Sequence, residues 1–309
     1  MKKLVSTLGL SHEEWLKHRK LGIGGSEAGA ICGFNPYTSA MAVYLDKTSD
    51  EIKEIDNEAM RQGRDLEEYV ARRFCEATGK KVRRANAIYC SEEHPFMFAN
   101  VDRMVVGEDA GLECKTASAY NAEQWKDGEV PMHYQIQCHH YMAVTGANAW
   151  YIAVVILGRD FKYVKIDRDE ELIRNLIHIE AHFWKEHVMK QSMPSPDGSD
   201  AAESLISNYY KFAKEQAKIE LQGYHEKLRR RLELNDLIER MEKEKKQIEQ
   251  EIKLAMADAE IAVCDDFYVT WKNMCTKRLD TDRLKEEQPE IYRQFIKEIQ
   301  TRRFMIKVA

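Results

Sequence analysis

The sequence predicts an α/β (α+β) domain followed by a mainly helical region ending in short strands. Three observations predict it. Over the first 190 residues, helical and strand-like periods follow one another as helices, a strand meander, a helix, two strands and a helix. The stretch "QSMPSPDGSD" (Gln191 to Asp200), rich in Ser, Pro, Gly and Asp, then interrupts the pattern as a linker. Beyond it the chain is dominated by charged, helix-forming runs. With 309 residues, the length suits two regions, 1–195 and 200–309.

The elements follow in order. "SHEEWLKHRK" reads as a short helix capped by Ser11. The glycine-rich "LGIGGSEAGAICGFNPYTSAMAVYLDKT" comes next, with Ser26 and Ser39 as expected N-caps of two more short helices. It is not a dinucleotide-binding fingerprint, because a helix and not a strand precedes it. Ala59, Leu66, Val70 and Phe74 share one helical face, and Gly79 closes that helix. Strands are expected at about 81–90, 96–106 and 110–116. A helix runs from Pro131 to Gly146. "AWYIAVVILG" and "DFKYVKID" read as strands, the first apolar throughout and therefore central. Residues 169–190 form a further helix. Residues 203–258 are helical, with Leu234, Ile238, Met241, Ile248, Ile252 and Ala255 in a 4–3 stripe interrupted by Lys245. "AVCDDFYVTWKNM" and "RRFMIKVA" read as strands on either side of a charged helix.

Composition narrows the function. The net charge of −5 leaves no global basic excess, so a nucleic-acid partner must meet a local patch. "KKVRR" (Lys80 to Arg84) is one candidate; a solvated edge strand blunted by lysine is the other reading. No apolar run has the length of a membrane span, and the N-terminus lacks a signal-peptide core. Seven scattered cysteines without a CxxC pair read as reduced thiols in a cytoplasmic protein. His133, Cys138, His139 and His140 lack the spacing of a zinc site.

The chemistry concentrates in "FMFANVDRMVV" and "GLECKT". Glu113 and Lys115, two apart in a strand, point to one face, and Asp102 lies on the strand before. Two carboxylates can hold a hard divalent cation, with the Cys114 carbonyl completing the shell. Such a cation activates water and neutralises charge on a phosphoryl oxygen. Lys115 can orient or deprotonate that water, or offset charge in the transition state. On spacing alone the same residues also fit a surface strand with salt bridges. Glu67, on the preceding helix, can add a third carboxylate. Gln135 and Gln137 lie on the next helix, and Gln137 shares a face with Tyr141. Gly24 and Gly25 permit close backbone approach to a ligand, and Ser26 at a helix start suits a phosphate.

"RKLGIGGSEAGAICGFNPYTS", "GRDLEEYV", "ANVDRMV" with "LECK", and "YQIQCHHYM" together resemble the PD-(D/E)XK nuclease superfamily. Within it they resemble the YqaJ-type recombinases related to lambda exonuclease. The resemblance covers about residues 10–165, with Val101 where the superfamily's name has proline. It implies a mixed central sheet flanked by helices. It also implies a nuclease using two magnesium or manganese ions to degrade one strand of duplex DNA from a 5′ end. It makes Asp102, Glu113 and Lys115 the catalytic core, Glu67 a metal-linked acid, and Gln135 or Gln137 the helical glutamine. Arg19 and Ser26 become the residues that recognise the 5′-phosphate. Related enzymes form ring-shaped trimers and hand 3′ tails to a single-strand annealing protein. An endonuclease or nickase on the same core, or a non-catalytic scaffold binding DNA ends, remain the alternative readings.

Overall fold

The computed structural model describes residues 1–51, 57–214, 217–298 and 300–308. They form two compact units, Met1–Tyr210 and Lys211–Ala309.

The first unit is built on two sheets. One has the strand order β1 (Lys2–Ser6), β4 (Ala87–Cys90), β5 (Met97–Asn100), β2 (Ile23–Gly24). The other runs β3 (Val82–Arg84), β6 (Arg103–Val105), β7 (Ala110–Ala117), β8 (Ala149–Ile156), β9 (Asp160–Asp167). In this second sheet β7 and β8 are parallel and the other pairs antiparallel. The mixed central sheet is therefore present, but two of the expected strands are broken between sheets. The run 81–90 divides at Asn86, whose φ of 48° is a left-handed conformation that Asn tolerates. The run 96–106 divides at Val101–Asp102, with β5 entering one sheet and β6 the other. Asp102 sits at that switch.

Helices cover both faces of the five-stranded sheet. α1 (His12–Lys20) starts at the expected Ser11 cap, which forms a capping box with Glu14. α2 (Gly25–Ile31) and α3 (Ala40–Thr48) follow, and the Ser39 hydroxyl caps α3. The expected Ser26 cap is corrected: Gly24 occupies the cap position, and Glu27 accepts the Gly24 N–H at 2.8 Å. The Ser26 hydroxyl is thereby left for another partner. α4 (Glu58–Thr78) is capped by the Asn57 side chain and ends at left-handed Gly79. It lays Val70, Ala71 and Phe74 against Leu112, Ala149, Tyr151 and Ala153. α5 (Met132–Thr145) covers the opposite face, where Trp150, Ile152, Val154 and Ile156 point. The apolar run of β8 thus serves two cores at once. β7 and β8 are parallel, so a crossover must join them, and α5 is its main element. Trp150 lies flat over Gly111, where even a Cβ would come within 2.2 Å of the indole. α6 (Glu170–His182) continues as a π-helical turn at Phe183–Met189. α7 (Asp200–Tyr209) lies against α3 and buries Ala202, so the first unit extends through the Gln191–Asp200 stretch to Tyr210.

In the second unit α8 (His225–Met256) is a single helix of 32 residues. Residues 211–214 and 217–224 are not helical, so among the described residues the expected helical region 203–258 is helical only in α7 and α8. β10 (Ile261–Cys264) and β11 (Phe267–Thr270) form an antiparallel hairpin. α9 (Thr281–Glu287) and α10 (Pro289–Phe295) come next. Residues 301–308 are not a strand, contrary to expectation, because no partner strand pairs with them among the described residues. The α8 stripe is exposed at Leu234, Ile238, Met241, Ile248 and Ile252, and Lys245 pairs with Glu249 of its own helix. No helix among the described residues is long and apolar enough to cross a membrane.

Candidate active site

The β6–β7 hairpin sets Asp102 against Glu113. Arg103 pairs with Leu112 and Met104 with Gly111, so the next step of the register places Asp102 opposite Glu113. There the ladder gives way: Asp102 Oδ2 accepts the Cys114 N–H at 2.8 Å. Glu113 and Lys115 share the α5 face, and Lys115 Nζ donates to Glu113 Oε1 at 2.6 Å. Gln137 Nε2 donates to the same oxygen at 2.7 Å and to the Tyr141 hydroxyl at 2.9 Å. The Tyr141 hydroxyl donates onward to the Asn100 carbonyl at 3.2 Å. Glu113 Oε1 is therefore saturated, while buried Oε2 has no hydrogen-bond partner.

Electrostatics sharpen this arrangement. Desolvation, then the neighbouring charges of Glu113 and Glu67, push the Asp102 carboxyl well above its ordinary range. Burial would lower the Lys115 ammonium, but Glu113, Tyr134 and Asp102 together hold it above its ordinary value. Lys115 also sits 4.7 Å from the centroid of the Tyr134 ring. Two carboxylates with one compensating lysine and an orphaned, buried oxygen fit a hard cation bound through oxygen. Among the described residues, no three His, Cys, Asp or Glu side chains form a ready-made metal shell. Glu67 explains part of this: its Oε1 accepts from Arg103 Nη1 at 2.5 Å, and Arg103 also bonds Glu68 and the Asp102 carbonyl. Arg103 is nearly fully buried and acts as an internal counter-ion on the α4 side.

Other expected residues separate clearly. Gln135 turns away and donates to the Val130 carbonyl at 2.7 Å, so Gln137 is the glutamine at the acids. Tyr141 is buried with both hydroxyl contacts internal. Cys114 offers its N–H to Asp102, and burial followed by the acids raises its thiol. Arg19 Nη2 donates to Ser26 Oγ at 3.1 Å and to Glu27 Oε1 at 3.0 Å, and its guanidinium lies 4.9 Å from the Trp15 ring centroid. In "KKVRR", Lys80 pairs with Glu108 and Arg84 with Glu68.

Several buried ionisable neighbours of these residues were not singled out in the sequence. Buried Lys47 donates to Glu27 at 2.8 Å and to the Arg19 carbonyl at 2.7 Å. Burial would raise Glu27, but Lys47 and Arg19 hold it below its ordinary range. His140 and Glu180, both fully buried, pair at 2.8 Å, and the other His140 nitrogen meets the Phe98 carbonyl. The Gly24–Glu27 spacing, a glutamate at the third helical position, is the one cue that could have found Glu27.

His133, Gln137 and Tyr141 recur every four residues, so they form one stripe of α5. At Gly25 a Cβ would lie 2.5 Å from the Tyr141 ring, and at Gly29 one would lie 2.9 Å from His133 Cβ. α2 therefore lies directly along this stripe, its start at Tyr141 and its later part at His133.

Residues 14–148 match the YqaJ-like viral recombinase domain. Across 308 residues the chain is 39% identical to the uncharacterized protein YqaJ of Bacillus subtilis (strain 168), covering 98% of this chain and 97% of that protein. The chain belongs to the YqaJ-like viral recombinase family. This YqaJ-like protein also shares its fold with the alkaline exonuclease LHK-Exo of Laribacter hongkongensis. The TM-score is 0.51 at 21% identity, over 65% of this chain and all of that one. The structure of LHK-Exo with dAMP matches equally, at 22% identity and a TM-score of 0.51 over the same shares. The matched family region contains Asp102, Glu113, Lys115, Gln137 and the Arg19–Ser26 pair.

Proposed function

We propose that this YqaJ-like protein is a divalent-metal-dependent 5′-to-3′ exonuclease on linear double-stranded DNA, leaving 3′ single-stranded tails for phage or prophage recombination. The observation that carries the reading is the Asp102–Glu113 pair facing across β6 and β7, with Lys115 and Gln137 both on Glu113 Oε1. Asp102, the free Oε2 of Glu113 and the Cys114 carbonyl would hold magnesium or manganese, two ions by family resemblance. Glu67 joins them if Arg103 releases it. When bound, such an ion lowers the pKa of coordinated water and neutralises charge on the phosphoryl oxygen. Gln137 fixes the Glu113 rotamer and keeps Oε2 directed to the cation. Lys115, held as ammonium, orients the attacking water and offsets negative charge at the reacting phosphate. The proposal extends to a ring-shaped trimer on DNA and to a single-strand annealing protein that receives the tail.

Arg19 and Ser26 form the 5′-phosphate pocket in this reading. Glu27 and Lys47 fix the guanidinium from behind, so its remaining donors suit a terminal phosphate. End-labelled linear duplex with magnesium tests the function, comparing 5′-phosphate with 5′-hydroxyl ends. The wild type is expected to prefer the phosphate, and Arg19→Ala to lose about tenfold or more of that preference. An unchanged ratio in the variant would place the pocket elsewhere. Degradation of circular duplex at the linear rate would favour the endonuclease reading.

The first compact unit holds every residue of this site. A fragment ending at Tyr210 is therefore expected to fold and to cleave short linear duplex. Circular dichroism and the same cleavage assay check it; an unfolded or inactive fragment would make the second unit part of the nuclease.

A further inference from the structure

Beyond the acids, α2 ends in a tightly built loop. Gly33 takes a φ of 77°, and the N–H groups of Phe34 and Asn35 both donate to the Gly29 carbonyl, at 2.8 and 3.1 Å. Asn35 Oδ1 accepts the Tyr37 N–H at 2.8 Å, an Asx turn. The close Gly29–His133 approach seats this loop on α5. All this order presents an aromatic ring to solvent: Tyr37 is 66% exposed. Its ring stands perpendicular to that of buried His133, centroids 6.1 Å apart. His133 packs on Tyr134 at 4.0 Å, and Tyr134 carries Lys115 at 4.7 Å. An unbroken aromatic path thus joins the catalytic lysine to the surface at Tyr37.

The α5 stripe gives this path a direction. Tyr141 abuts Gly25, beside Ser26, at the phosphate-pocket end; Gln137 pins Glu113 in the middle; His133 supports Tyr37 at the far end. Each step of four residues is about 6 Å, the length scale of one nucleotide. A strand anchored by its 5′-phosphate at Arg19 and Ser26, and cut at Glu113 and Lys115, continues toward Tyr37.

We propose that Tyr37 is a stacking subsite for the nucleobase of the second nucleotide, on the 3′ side of the bond that is cut. The inference rests on the exonuclease reading. Aromatic faces accept any base, so the subsite steadies the strand without reading sequence. Because the loop orders the ring in advance, little freedom is lost on binding.

The test uses the full chain and linear duplexes whose degraded strand is abasic at position 1, position 2 or position 5. For the wild type, removing the position 2 base is expected to raise KM on the order of tenfold with kcat little changed. Tyr37→Ala is expected to raise KM on ordinary duplex by a similar factor and to show no further penalty for the abasic position 2. Tyr37→Phe, which keeps the ring, should behave as wild type. A position 2 penalty that persists in Tyr37→Ala would overturn the assignment. So would a Tyr37→Ala variant with unchanged KM and an altered sedimentation coefficient, which would put Tyr37 in a contact between copies. If the wild type cleaves no linear duplex at all, the exonuclease reading falls and the subsite with it.

Discussion

Lys115→Ala is expected to lower the rate of DNA cleavage by about a thousandfold while leaving duplex affinity nearly unchanged. The lysine is held by Glu113 at 2.6 Å and lies over Tyr134, with only 19% of its side chain exposed. In the proposed exonuclease reading it is therefore a poor contact for the distant DNA backbone and a charge for the reacting phosphate. Asp102→Ala and Glu113→Ala should abolish cleavage as well, because each removes an oxygen donor on which the proposed cation depends. Single-turnover cleavage and equilibrium binding, measured separately, distinguish these effects. Thermal denaturation serves as the control, since Lys115→Ala leaves Glu113 and Asp102 without their compensating cation. Near-normal turnover by a folded Lys115→Ala protein would remove the lysine from the mechanism.

These residues were legible because their geometry is local. A hairpin register ties Asp102 to Glu113 across a fixed spacing, and strand alternation ties Glu113 to Lys115. Gln137 and Tyr141 were legible as one helical turn. Between Gln135 and Gln137 the sequence had only that spacing as a guide, and the packing of α5 on β7 decides it. The residues that escaped reading join distant parts of the chain. Arg103 bridges to Glu67 and Glu68, Lys47 to Glu27, and His140 to Glu180, each through polar contacts that leave no periodic trace. The switch of strands between two sheets escaped for a similar reason. The runs 81–90 and 96–106 have strand propensity throughout, and only tertiary pairing shows where each changes partner. β2, two residues long, is too short to carry a pattern.

Magnesium is expected to stabilise the wild-type protein against heat, and Asp102→Asn to lose that gain. The Asp102 carboxyl is raised above its ordinary 3.8, first by desolvation and then by Glu113 and Glu67. The sign follows by linkage: its contribution to stability is complete below 3.8 and is lost as pH rises through the raised folded value. Without a cation the protein is thus less stable at neutral pH than this group alone would allow in mild acid. A divalent cation reverses the penalty by taking the place of the missing proton. At a hundred times its Kd, a ligand of the native state contributes about 2.7 kcal/mol, or roughly 5–10 °C in a domain of this size. Asparagine keeps an acceptor for the Cys114 N–H while removing one of the crowded charges. The cation-free variant should therefore melt at or above the wild-type temperature at neutral pH, with a flatter pH dependence across the Asp102 titration. His133, lowered to about 4 by burial and Lys115, and His140, raised mainly by Glu180 against its burial, titrate in both proteins. The comparison between wild type and variant therefore reads Asp102 together with the neighbours its charge shifts, such as Lys115 and Cys114. Scanning calorimetry with and without magnesium, repeated with manganese, measures all of these quantities. A wild type that neither ion shifts would remove the cation from this acid pair, and a variant that gains as much as the wild type would remove Asp102 from its shell.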